Sequence, residues 1–148
     1  MTTPELLEDF KAAVLGVCAQ ACPNAKVLTA DTPAVAQALL SNALSAAPML
    51  CLFISSDTAA GEVFGDPHSI ARVTLAILHN RVLDNPTEGG AFSILTLAHQ
   101  LRVRLAETAF SKWLVPMPLF VSMEYIKESS GRFYNGYLLN FDCHYTFN

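Results

Sequence analysis

The sequence predicts an α+β domain: a mainly antiparallel sheet of about four strands with helices packed on one face. Three observations carry this. The chain closes on a strand-like alternation, it holds two helix starts of the same form, and its longest apolar runs are too short and too interrupted to be anything but buried strands and helix faces. In the closing segment the apolar residues Tyr137, Leu139, Phe141, Cys143, Tyr145 and Phe147 alternate with polar Asn140, Asp142, His144 and Thr146. A period of two gives a strand one buried and one wet face.

The elements follow in order. Thr3-Pro4-Glu5 is a helix start, with threonine as N-cap, proline in the first turn and an acid near the positive helix end. Leu6, Leu7, Phe10, Val14, Val17, Cys18 and Ala21 then recur at helical spacing, and Pro23 ends the helix. Lys26 to Thr29 reads as a short edge strand. Thr32-Pro33 repeats the start signal for a second helix, with Val35, Leu39, Leu40, Ala43 and Leu44 as its stripe and Pro48 as its end.

Met49 to Ser55 is a continuous apolar run, a buried strand. Asp57 to His68 is polar and holds glycines, which predicts a loop. Ile70 to Arg81 alternates as a second long strand. Asp84 to Gly90 is rich in turn residues. Ala91 to Phe110 is a long helix with Phe92, Leu95, Ala98, Leu101 and Leu105 as its core stripe. After Pro116 and Pro118, Leu119 to Lys127 is a third strand, with Leu119, Val121, Met123 and Tyr125 expected on one face. Ser129 to Arg132 turns it into the closing strand.

Composition excludes several function classes. At 148 residues, a single domain spanning 1–148 is expected. The balance of 9 basic against 13 acidic residues, a net charge of −4, lacks the basic footprint of a nucleic-acid binder. Hydrophobic residues make up 52% and charged residues 15%, against roughly 25% charged in an ordinary domain. That surplus predicts apolar surface covered by other subunits. Between Asp31 and Asp57 there is no charge, but Gln37, Ser41, Asn42, Ser45 and Pro48 interrupt the stretch, so no membrane span is expected. The acidic, amphipathic start is the opposite of a secretory leader, so none is expected.

No constellation of residues points to catalysis. Cys18, Cys22, Cys51 and Cys143 lack zinc-type clustering and read as small apolar filler. His68, His79, His99 and His144 are scattered. Asp142 and His144 share a strand face and could form an acid–base pair, though two wet residues on a sheet surface is the plainer reading. Gly89-Gly90 lacks the further glycines and the lysine of a phosphate loop. Trp113, Tyr125, Tyr134, Tyr137 and Tyr145 with few lysines suggest an interface more than a base-stacking platform. Neither a cofactor nor a metal is expected.

The succession is an N-terminal helix, an apolar strand over Met49 to Ser55 and a strand ending in Asn80-Arg81. A glycine loop then leads into a long helix from Gly89 to Glu107, and the chain closes on a strand ending Tyr145-Thr146-Phe147. This order resembles the Mu-like tail terminator family of contractile-tailed phages and, more loosely, the terminators and minor tail proteins of non-contractile ones. The similarity runs from about residue 45 onward and rests on element order, not on a diagnostic signature.

The resemblance implies a non-enzymatic ring subunit. Such a chain forms a homo-oligomer, a hexamer in that family, on the last ring of the tail tube. It meets tube, sheath and head-completion proteins, and resides in the virion tail after assembly in the host cytoplasm. The residues expected at subunit contacts are Arg72, Arg81 and Glu124 on strands, with Asp57, Glu62, Asp66, Asp84 and Glu88 in the two loops. A small acidic binding or inhibitory module is the alternative, and Glu5, Glu8 and Asp9 are its one tight acidic group.

Overall fold

The computed structural model describes residues 1–36, 48–80, 93–126 and 134–147. It is an α+β fold built on a five-stranded sheet in the order β1-β2-β3-β5-β4. The strands are β1 (Lys26–Thr29), β2 (Met49–Val63), β3 (Asp66–Asn80), β4 (Leu119–Tyr125) and β5 (Tyr134–Thr146). Every neighbouring pair is antiparallel except β1 with β2, which is parallel. Helices α1 (Thr3–Ala21) and α2 (Ile94–Ala106) pack on the same face of the sheet.

Helix α1 starts one residue earlier than the sequence predicts. Thr2 is the N-cap, its hydroxyl accepting from the Glu5 amide while the Glu5 carboxylate accepts from the Thr2 amide. This reciprocal box satisfies amide donors that the first helical turn leaves open. Leu6, Phe10, Val14 and Val17 then face the sheet. Helix α2 is shorter than the Ala91–Phe110 expectation, and Ile94 and Leu97 join Ala98, Leu101 and Leu105 on its buried face while Leu95 is exposed. Ser93 caps it, accepting from the Thr96 amide. Of the predicted second helix, residues 33–36 form a helical turn, with the Thr32 hydroxyl accepting from the Val35 amide. The rest of that helix lies outside the described residues.

Alternation places the core. Leu50, Leu52, Val73, Leu75, Ile77, Leu139, Phe141, Cys143 and Tyr145 all point at the helices and are buried. The opposite face holds a smaller cluster of Ala30, Ala36, Cys51, Phe53 and Ala76 near the β1 side. Phe10 lies at the centre of an aromatic group, with ring centroids 5.3 Å from Phe141 and 6.1 Å from both Phe110 and Trp113. Trp113, which the sequence placed among interface aromatics, is buried in the segment that follows α2, against Phe10 of α1 and stacked 4.0 Å from Phe110.

Two strand expectations are corrected. The segment Asp57 to His68 is not a loop. Asp57 to Val63 continues β2, Asp66 to His68 begins β3, and the turn between them is Phe64-Gly65. The result is a long two-stranded arm with one register shift between Ile54 and Ser56 and another between Ala59 and Glu62. Gly61 and Gly65 take left-handed φ values of 90° and 83°, which glycine adopts without strain, and Phe64 at 52° does so at a cost.

The second correction concerns β4. A register shift between Phe120 and Ser122 breaks its alternation. Phe120 and Met123 pack on the core, while Leu119, Val121 and Tyr125 are 50%, 42% and 51% exposed.

Candidate functional site

The face of the sheet opposite α1 and α2 carries its polar chemistry in rows across the strands. Thr74 bridges the Ser55 hydroxyl, 3.1 Å away, and the Asn140 side-chain oxygen, 2.7 Å away. Asn140 in turn donates to the Ser122 hydroxyl at 3.0 Å, so one row links β2, β3, β5 and β4. The register that pairs Thr74 with Asn140 and Asn140 with Ser122 creates this row. Even-numbered side chains of β3 and β5 share this face.

One row on, Arg72 grips Asp142 with two hydrogen bonds of 3.0 and 3.3 Å. The carboxylate holds the guanidinium even more firmly charged than usual, through the hydrogen bond first and its charge second. Their side chains are 41% and 26% exposed, so the pair contributes under about 1 kcal/mol to stability. Beyond it, His68 Nε2 and His144 Nδ1 lie 3.1 Å apart. Asp142 and His144 are therefore committed to different partners and do not form the acid–base pair that their shared strand face allows.

On the helix-bearing face, the Tyr145 hydroxyl donates to the Asp57 carboxylate at 2.6 Å and fixes the base of the arm to β5. Burial first, then the hydrogen bond to Asp57 and its negative charge, push the phenol well above its ordinary range. Beside it, where β1 ends, a notch of about 480 Å³ opens between the start of α1 and the edge of β2. Pro4, Leu7, Glu8, Asp31, Ile54 and Asp57 contribute to its lining.

The predicted contact residues fall in distinct places. Arg72 is half exposed and paired with Asp142, Glu124 is exposed on β4, and Asp57 is engaged by Tyr145 at the notch. Glu62 and Asp66 lie near the arm tip, where Glu62 is exposed. Arg81, Asp84 and Glu88 lie outside the described residues. Sequence reasoning missed the arm tip. Phe64 is fully exposed there, and its only signal was a single aromatic beside a glycine in a polar stretch.

Among the described residues no group of three or more potential metal ligands comes together. All four thiols are buried. Burial raises Cys18 and Cys51 from 9.0 to about 11, and raises Cys22 and Cys143 as well. The thiolate is the reactive form, so these are poor nucleophiles.

A folded state that holds thiols protonated loses stability as pH climbs. Above 9.0 the unfolded chain releases these protons more readily than the folded one, and the loss continues to about 11. Denaturant midpoints should fall steadily across that window. A Ser substitution at Cys51 should flatten the decline, and an unchanged slope would rule Cys51 out as a contributor.

No family model matches the chain, and no curated protein matches it. Among solved structures it is similar to a chain of the virion of a native gene transfer agent particle. The TM-score is 0.40 at 8% identity, over 92% of this chain and 86% of that one. A likeness at this level leaves the function to be argued from the chain's own surfaces.

Proposed function

We propose that this chain is a structural subunit of a phage tail or tail-like particle, a tail terminator. It closes into a hexameric ring on the tail tube, stops tube growth and joins the tail to the head. The observation that carries this reading is the exposed apolar surface. Phe64 at the arm tip is fully exposed, and Leu119, Val121 and Tyr125 along β4 are about half exposed, on a chain with only 15% charged residues. Surface of this kind marks a contact with other proteins. The order of elements that resembles the tail terminators supports the same reading. The laterally bonded polar face and the inert thiols support a structural role over a catalytic one.

The partners are then further copies of the chain, the tail tube, the sheath where the tail contracts, and head-completion proteins. No cofactor, nucleic-acid sequence or membrane belongs to the reading, which places the chain in the virion tail after assembly in the host cytoplasm. Electron microscopy of particles made without the chain tests it. Tubes of uncontrolled length and unjoined heads are expected. Tails of normal length with normally joined heads would sink the proposal.

Arg72 gives a finer test. Arg72→Glu alone faces Asp142 with a like charge and should cost roughly 1 kcal/mol. Adding Asp142→Arg rebuilds the pair in reverse and should restore the melting temperature. If the face opposite α1 and α2 contacts a neighbour, the restored double variant still fails to complete tails. Normal tails would place Arg72 outside the contact.

One feature favours the alternative of an acidic binding or inhibitory module. Glu8, Asp31 and Asp57 gather at the notch, and a basic partner would suit them. A monomeric chain that binds such a partner and is missing from tail particles would decide for that reading.

A further inference from the structure

The sheet has two open ends. β1 is its first strand and β4 its last, and among the described residues no strand lies beyond either. β4 carries exposed Leu119 and Val121 with Glu124 as its one charge, an edge that natural sheets seldom leave uncovered. At the other end β1 has four residues against seven in β4. Its last pairing is Thr29 with Leu52, so from Phe53 onward β2 has β3 as its sole strand neighbour among the described residues. The notch beside Ile54 to Asp57 is the space that this early end leaves open.

We infer that β4 of one copy docks antiparallel on the β1/β2 edge of a second copy, extending one sheet across both subunits. The inference rests on the ring reading above and takes from it only that copies assemble head to tail.

Direction, length and charge all fit. β4 is antiparallel to β5, β5 to β3, β3 to β2, and β1 runs with β2. A copied β4 therefore meets β1 and β2 in the antiparallel sense, the sense of the sheet's own β2–β3 and β3–β5 pairs. The registers connect Met123 through Leu139 and Leu75 to Leu52 and Thr29, and Phe120 through Phe141 and Val73 to Ile54. In an unstaggered addition the Met123–Tyr125 half lies along β1 and the Leu119–Ser122 half fills the notch.

Charges then oppose one another on both faces. On the helix face, Arg102 of α2 sits 4.2 Å above the Phe120 ring, and the notch at the same level holds Glu8, Asp31 and Asp57. On the face opposite α1 and α2, exposed Glu124 lies level with Leu28, one diagonal step from exposed Lys26. Diagonal cross-strand neighbours are within reach of long side chains. A symmetric β4–β4 contact would instead set copies of one patch against each other and leave the acidic notch unmatched. Two different patches make a head-to-tail contact, the kind that closes a ring.

Sedimentation of the full chain over a concentration series up to the millimolar range tests the contact. The parent should associate. Lys26→Glu and Glu124→Lys should each weaken association by roughly fivefold, and the double exchange should recover most of it. Val121→Asp, on the exposed edge, should weaken it by roughly thirtyfold or more while circular dichroism and melting stay as in the parent.

A parent that stays monomeric throughout overturns the inference. So does a Val121→Asp chain that associates like the parent, or a double exchange that fails to recover. A Glu124→Lys effect with Lys26→Glu silent would reveal the symmetric contact instead, and also overturns it. Association through this edge by a chain that is missing from tails would sink the ring reading and leave the edge contact standing.

Discussion

Phe141→Ala is expected to destabilise the fold by about 3–5 kcal/mol, the usual cost of emptying a large aromatic site in a core. Phe141 is fully buried at the middle of β5, opposite Val73 on β3 and Phe120 on β4. Its ring lies 5.3 Å from Phe10 and 5.6 Å, edge-on, from Phe120. Its ring contacts come from two different elements, helix α1 and strand β4. For a chain of this size the melting temperature should drop by roughly 10 °C or more. A variant that melts with the parent would mean that Phe141 does not face the helices.

Phe10→Ala should cost a similar amount, about 3–5 kcal/mol, by removing the ring through which α1 holds the aromatic group together. Phe10 is fully buried and touches Phe141, Phe110 and Trp113. Its loss should also loosen the segment after α2, which docks through Phe110, Trp113 and the Leu114 amide bonded to the His144 carbonyl. Because Phe10 and Phe141 would share one cavity, the double variant should cost less than the two single losses together, by about 0.5–3 kcal/mol. Strict additivity in denaturant titrations would show that the two rings do not pack on each other. Near-ultraviolet circular dichroism of Trp113 offers a separate readout, and an unperturbed signal in Phe10→Ala would contradict the stacking.

The contrast between β5 and the β2–β3 arm shows what a sequence can disclose. β5 has one face on the core and one in solvent, so its alternation from Tyr137 to Tyr145 is written in residue types. The arm beyond Ile54 is exposed along β2 on both faces. No burial pattern constrains its residues, and a polar strand with Gly61 and Gly65 then looks like a loop. The same reasoning explains β4. Its shift between Phe120 and Ser122 moves Leu119 and Val121 out of the core, and a one-residue slip of this kind leaves no mark in composition.

By itself the sequence determined the α+β class, the places of α1, β1, α2 and β5, and the inward face of β5. These are local matters of helical spacing, capping chemistry and side-chain polarity. Tertiary structure alone decided the strand order β1-β2-β3-β5-β4 and the partners of Arg72, Asp142, His68 and His144. It also decided the burial of Trp113 and the notch left where β1 stops. Each depends on which strands lie side by side. That choice is made by packing between residues as far apart in the chain as Arg72 and Asp142, and local patterning carries no record of it.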